Sequence, residues 1–427
     1  MTVPAAARPR RVHYAWVMVA VTFLVLLVAA GIRAAPGALV LPFEEEFGWG
    51  RGSISLAAAV SLVTFGLGAP LGGSLIGRFG VRRVMIAGLG LVVLGVAPML
   101  LMRDLWHLHL LWGVVAGIGT GAVAQVLGAT IATIWFRRSR GLVLGLFGAA
   151  TSAGQLVFIP LIVALTVAAD WRAAIVLMAS AAAVLLVPVL LFIKDGPEDV
   201  GIHAYGADVA GERARDEGVA AESAQGTPLR VAIRSRDYQL LAASFFVCGY
   251  TSTGLIGVHF IPHAVEHGFG EVTAAGALGV IGMMNVVGTV ASGWLTDRYD
   301  NRMLLAAYYG FRALSLLVLP WIVDVPALLV FAVVFGLDYI ATVPPTANLT
   351  ARIFGRASVG ILFGWIFFAH MVGAALAAWL GGIARDALGD YTLAFLSAGA
   401  LGLVAVGFSL SIGRRSRVVS VSGVEAG

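Results

Sequence analysis

Cysteine, lysine and charge are all scarce in this chain of 427 residues. The one cysteine, Cys248, excludes an intramolecular disulfide and a cysteine zinc cage. Set in an apolar run, it reads as a small buried hydrophobe. Lys194 is the sole lysine against 27 arginines. The arginines stand in small groups without interleaved aromatics, so the net charge of +5 does not describe a nucleic-acid surface. Charged residues make up 12% of the chain, about half the ~25% of a soluble domain and too few to face water all round. A Gly-rich phosphate loop, a membrane-zinc motif and any soluble catalytic constellation are also missing from the sequence. Neither ATP-driven pumping nor enzyme activity is therefore expected, and no cofactor.

Apolar residues, by contrast, reach 59% and the mean hydropathy is +0.94. A helix needs about 20 apolar residues to cross a bilayer. Twelve runs meet that length: about 14–42, 53–77, 83–102, 107–135, 141–168 and 172–193, then 238–265, 273–296, 303–323, 326–351, 359–385 and 391–413. The first is too long for a signal-peptide core and is read as a membrane span. The predicted fold class is an all-α membrane protein of twelve transmembrane helices. Its expected parts are six helices in 1–194, a flexible polar linker over 195–237, and six helices in 238–427. If residue 1 starts inside, 22 basic residues fall in cytoplasmic segments and four (Arg51, Arg103, Arg172, Arg385) outside. That bias places both termini in the cytoplasm, and the arginine excess points to a GC-rich bacterium and its inner membrane.

The two halves echo each other. Gly73-x-Leu75-x-x-Arg78 with Arg82 lies over Gly293-x-Leu295-x-x-Arg298 with Arg302 at an offset of 220, and Gly141, Gly145 and Gly154 lie over Gly360, Gly364 and Gly373 at 219. Duplicated helical units place a substrate site between them near the midplane. The stretch Gly73-x-Leu75-x-x-Arg78-x-Gly80-x-Arg82-Arg83 resembles the loop motif between helices 2 and 3 of the major facilitator superfamily. Gly293-x-Leu295-x-Asp297-Arg298 resembles its second copy. Gly77 stands where the family's motif has an acid; Asp297 keeps it in the second copy. The resemblance implies the major facilitator fold, two six-helix pseudo-repeats, with Gly73, Arg78, Gly80, Arg82, Gly293, Asp297 and Arg298 as a conformational gate.

Within that superfamily, Tyr14-Ala-Trp16, Pro42-Phe-Glu-Glu-Glu-Phe47-Gly48-Trp49, Asp195-Gly-Pro197, His259-Phe-Ile-Pro262-His263 and Phe363-Gly364-Trp365 are similar to the bacterial monocarboxylate-porter branch. That branch carries an Asp and an Arg four apart on helix 8. Here Asn285 and Thr289 occupy the matching places, so proton coupling by that pair is not implied.

Three ionisable residues stand deep in spans, where each costs about 2.5–3.5 kcal/mol on insertion scales. Arg312 and Asp338 lie at matching depths on antiparallel helices. They read either as a permanent ion pair or as a pair in which Asp338 accepts a proton and releases Arg312. Arg33, about 28 Å along the first helix, reads either as a cation reaching the outer interface or as the anchor for a carboxylate, since a guanidinium offers a planar fork. The resemblance leans to the second. Gln125, Gln155, Asn285, Tyr308 and Asn348 are polar at similar depths and serve either substrate or helix-to-helix bonds. His370 is either packed and neutral or proton-coupling. His259, His263 and His267 have the i, i+4, i+8 spacing of a metal face, yet Pro262 and Gly268 favour a solvated loop cluster; no metal is expected.

The expected function is a secondary active transporter for a small organic anion, a monocarboxylate bound by Arg33, Arg312, Asn285, Gln125, Gln155 and Tyr308. Asp338 and His370 would carry the coupled proton. Its expected partners are that anion, a proton and the bilayer, with the chain acting as a monomer. A facilitator-type exporter of hydrophobic compounds, an uncoupled anion exchanger and a transport-dead sensor signalling through 195–237 are the rival expectations.

Overall fold

The computed structural model describes residues 13–207, 227–355 and 358–413. Arg8, Arg10 and Arg11, residues 208–226 of the linker, and the surroundings of Gly73 and Gln125 lie outside the described residues. Among the described residues twelve helical spans cross the molecule: Tyr14–Ala34, the helix Arg51–Phe79, Val81–Leu101, Leu105–Trp135, Arg140–Ala168, Trp171–Phe192, Arg236–Glu266, Glu271–Thr296, Asn301–Trp321, Val325–Phe354, Val359–Leu388 and Thr392–Ser411. Their ends fall within three residues of the hydropathy reading everywhere but in the first span. There the helix bends at Ala35 and continues as Pro36–Phe47, because Pro36 has no N–H to continue the ladder. Helix starts are set by side-chain caps: the carboxylates of Asp170, Asp300 and Asp324 accept from backbone N–H groups of the first turn.

The repeat in sequence is also a repeat in packing. A Cβ on Gly154 would sit 2.2 Å from Leu27 O, and one on Gly373 2.1 Å from Phe246 O. These four residues correspond at the same offset of 219, so the fifth span leans on the first as the eleventh leans on the seventh. Only glycine allows backbones so close, the usual device for packing helices in lipid.

The face bearing residues 13 and 413 is called terminal here and the opposite one distal. At the distal face the first and last six spans are tied together. Asp386 accepts from the backbone N–H groups of Arg51 (3.0 Å) and Gly52 (2.8 Å). The Arg51 guanidinium donates to Glu44 at 2.7 Å, Glu266 at 2.5 Å and the Tyr391 hydroxyl at 3.1 Å. Burial pushes the Tyr391 hydroxyl up to about 12, so it stays protonated at neutral pH. Beside this tie, Trp171 and Arg172 donate to Glu46 and hold its carboxyl below the usual range. Toward the terminal face the helices part: a Cβ on Gly141, Gly145 or Gly148 of the fifth span, or on Gly360 or Gly364 of the eleventh, would meet nothing within 4 Å. The two sets of six spans are tied distally, and among the described residues no hydrogen bond joins them toward the terminal face.

Several expectations are corrected. His259 and His263 are buried in the helix Leu255–Glu266, with Pro262 inside it; neighbouring spans tolerate such a proline. His259 Nε2 bonds Ala378 O at 2.7 Å. The expected linker is ordered at both ends. Tyr205 N donates to Trp135 O (2.8 Å), and Tyr205 O accepts from Arg137 N (2.9 Å); Thr227 pairs with Phe354 and Ser358. The loop-motif residues form no ion pair between their two copies among the described residues. Arg82 instead bonds the end of the sixth span through Asp195 and Leu190 O, and Arg298 lies 3.9 Å over Trp294. Gly80, at φ +81, is held to glycine because a Cβ would strike Asp195. Gly293 faces open space, and Arg78 lies over Phe79; no ion pair of Asp297 is formed among the described residues.

Candidate functional site

Three irregular stretches of helix meet in the middle of the molecule. The first is the bend at Ala35. The second is a widened turn, Tyr250–Gly254, inside the seventh span, a type frequent at functional sites. The third is a break in the tenth span: one helix ends at Asp338 and the next starts at Val343. Non-helical backbone at membrane depth is tolerated only where protein buries it or a cavity receives it. Each stretch delivers one polar side chain, Arg33, Thr253 and Tyr339, to the same cavity. Ser61 and Gln155 add two more, while Leu62, Ile159, Val258 and Leu278 supply apolar wall. The space left free is about 30 Å³, room for a water or two.

Arg33 is half-buried, its guanidinium 5.0 Å from the centre of the Phe65 ring. Among the described residues it makes no hydrogen bond and no ion pair with a carboxylate. It does not reach the distal interface. A cation held at membrane depth against an aromatic face, with hydroxyl and amide groups around it, can receive a carboxylate through two parallel N–H···O bonds.

Arg312 is placed differently from the expectation that it binds substrate. It is fully buried and every donor nitrogen is engaged. Nε donates to Asp338 Oδ2 at 2.7 Å, Nη1 to Cys248 Sγ at 2.9 Å, and Nη2 to the carbonyls of Asp338 (2.6 Å) and Tyr339 (3.2 Å). The guanidinium closes the end of a broken helix, where carbonyls point out without partners. Asn285, also expected on substrate, holds the same break: its Oδ1 accepts from Ile340 N at 3.2 Å, and its amide approaches Ser152 of the fifth span at 3.4 Å. Tyr308 is not in the cavity lining. Gln155 is. Asp338 is buried beside Arg312, its Oδ1 without a partner. His370 is buried behind the lining, Nε2 3.4 Å from the Thr253 hydroxyl, its ring stacked on Phe367.

Sequence reasoning missed Thr253, Tyr339, Phe65 and the polar contacts of Cys248. The distal tie was missed as well. Replacing Asp386 by alanine strips the acceptor from two backbone N–H groups across the distal face. A cysteine at Ser61, in a Cys248→Ser background, is then expected to react several-fold faster with a membrane-impermeant maleimide from the distal side. Equal rates would show that Asp386 does not hold that face shut.

This arrangement, twelve spans in repeated packing around a central polar cavity with the two halves tied at one face, is that of a carrier working by alternating access. The family model described as Major Facilitator Superfamily matches residues 21–378, and the chain belongs to that superfamily: it is a multi-pass membrane transporter, not an enzyme. The Uncharacterized MFS-type transporter YcxA of Bacillus subtilis (strain 168) is 27% identical over 88% of this chain and 90% of its own length. Monocarboxylate transporter 13 of Rattus norvegicus is 26% identical (96% and 91% covered), and Monocarboxylate transporter 11 of Homo sapiens 27% (93% and 83%). Among solved structures, the D-xylose-proton symporter superposes with a TM-score of 0.73 at 15% identity, over 95% of this chain and 99% of that one. A bacterial homolog of the human lysosomal transporter Spinster, in an inward-facing and occupied conformation, gives 0.74 at 12%, over 95% and 97%. At such identities the likeness speaks to the fold.

Proposed function

We propose that the chain moves a small organic monoanion, a monocarboxylate, together with a proton across the bacterial inner membrane. The observation that carries this reading is Arg33: a cation facing the central cavity with no carboxylate partner among the described residues. One guanidinium matches one carboxylate, and the apolar wall suits a short hydrocarbon body. The names of the relatives, two of them monocarboxylate transporters, support the same substrate class. Movement of a monoanion with one proton is electroneutral, and Asp338 and His370 supply titratable groups one layer behind the cavity. On the charge bias of the loops the terminal face is cytoplasmic. The functional halves are 1–194 and 238–427 joined by 195–237, and one chain completes the pathway.

Purified protein in liposomes carrying an internal pH dye tests this. Lactate, pyruvate, acetate, a dicarboxylate and a hydrophobic cation are added outside, with protein-free vesicles subtracting acid leak. Protein-dependent acidification by a monocarboxylate is the expected result. Exchange of labelled substrate without proton movement would make the carrier an uncoupled exchanger. Movement of the cation alone would make it an exporter of hydrophobic compounds.

A further inference from the structure

The break in the tenth span is held by side chains from three other spans. Arg312 of the ninth grips the carbonyls of Asp338 and Tyr339. Asn285 of the eighth accepts from Ile340 N, and Ser292 donates to Ala341 O at 2.5 Å. Cys248 of the seventh meets the Thr342 hydroxyl at 3.1 Å. Three backbone groups of the turn, Tyr339 O, Ile340 N and Ala341 O, are thus tied to neighbouring spans, and the strongest tie comes from a cation whose charge is balanced by Asp338 just before the turn. The side chain of Tyr339, between those ties, forms a wall of the Arg33 cavity. The buried ion pair and the candidate anion site therefore share one residue: its carbonyl faces Arg312, its ring faces Arg33's cavity.

We propose that the turn Tyr339–Thr342 transmits protonation of Asp338 to the anion site, with Tyr339 as the wall that moves. The inference rests on the reading of the Arg33 cavity as the anion site. A proton arriving from the cavity side, where Thr253 faces His370, adds to Asp338 Oδ1, the oxygen without a partner. No other bond is made or broken; the carboxylate loses its charge and Arg312 its counter-ion. An unpaired cation is costly at this depth, so the guanidinium moves off the carbonyls of the turn, the turn shifts, and Tyr339 withdraws from a cavity otherwise only about 30 Å³ in size. The charged or titratable groups around Asp338 are Arg312, Tyr308 and Tyr309 from the ninth span, Cys248 from the seventh and Tyr339 from its own. The eighth presents neutral Asn285 and Ser292, and His370 of the eleventh stands beyond Cys248. Among these, Asp338 is the carboxylic acid paired to a cation that touches the turn; the Cys248 thiol shares that guanidinium at 2.9 Å but offers no unpartnered oxygen.

Linkage fixes the sign: if protonation makes room for the anion, anion affinity falls as pH rises. With one linked proton the dissociation constant for labelled L-lactate, measured on the wild type in proteoliposomes, rises about tenfold per pH unit above the relevant pKa. Asp338→Asn, neutral at every pH, is expected to bind lactate with no such slope, to retain lactate exchange, and to lose accumulation driven by a pH gradient. Tyr339→Ala, which leaves Asp338 and Arg312 in place but removes the wall, is expected to flatten the slope as well. A wild-type slope in either variant overturns the role of the turn while leaving the Arg33 site standing. Lactate exchange by a wild type without any slope overturns it too, and proton coupling with it. A wild type that binds no monocarboxylate overturns both this inference and the functional reading beneath it.

Discussion

Replacing Arg33 by alanine is expected to lower monocarboxylate uptake by about two orders of magnitude or more while leaving the fold intact. The two halves of that expectation come from the same observation. Arg33 meets the Phe65 ring and the cavity, with no carboxylate partner among the described residues, so its removal leaves no orphaned acid there. Stability in detergent should fall by no more than about 2 kcal/mol, the upper size of the cation–π contact with Phe65 that is lost. A bound carboxylate, however, loses a charge-assisted fork in a site shielded from water. Truncating one partner of such a pair costs about 2–5 kcal/mol, and each ~1.4 kcal/mol is tenfold in affinity. Arg33→Lys keeps the charge but not the planar pair of donors, and should fall between. Uptake of labelled lactate and thermal melting of the same preparations check both parts. Unaltered uptake would remove Arg33 from the substrate site; a large drop in melting temperature would make it structural.

The span positions were legible because hydropathy over about 20 residues is a sum, insensitive to any one side chain. The depth of Arg312 against Asp338 was legible for a related reason: rise per residue converts position into height, and the pair forms at 2.7 Å. What the cation does there was not legible. Its two bonds to carbonyls exist only because the tenth helix breaks at Tyr339, and nothing short-range announces the break apart from Pro344 and Pro345 just beyond it. Thr253 and Tyr339 are neutral and common, and they reach the cavity through local departures from regular helix that periodicity cannot see. The distal tie joins Arg51 to residues 215, 335 and 340 positions away, beyond any pattern in one sequence. His259 and His263 were misread because Pro262 was weighed as it would be in water, where a freed carbonyl is cheaply solvated and a helix readily ends.

Arg312→Leu should be the most damaging substitution to the fold. It removes the guanidinium from a site with no measurable exposure and leaves four acceptors behind: the Asp338 carboxylate, the carbonyls of Asp338 and Tyr339, and Cys248 Sγ. Breaking one side of a buried pair costs about 3–5 kcal/mol, most of it the penalty of an uncompensated charge. Asp338→Asn is gentler, since the amide oxygen can still accept from Nε and no charged acceptor is stranded. The double variant Arg312→Leu, Asp338→Leu separates the contributions. With the stranded carboxylate gone it should be more stable than Arg312→Leu alone, although the Tyr339 carbonyl still lacks a donor and the Asp338 carbonyl keeps only Ala341 N. The non-additivity is the measurable coupling between the partners, read from unfolding midpoints of the wild type, Arg312→Leu, Asp338→Leu and the double variant in one detergent. If Arg312→Leu melts with the wild type, Arg312 does not brace the break. If the double variant is no better than Arg312→Leu, the carbonyl bonds rather than the ion pair carry the stability. In that case protonation of Asp338 would disturb the turn little, which ties the energetics of this pair directly to its proposed part in transport.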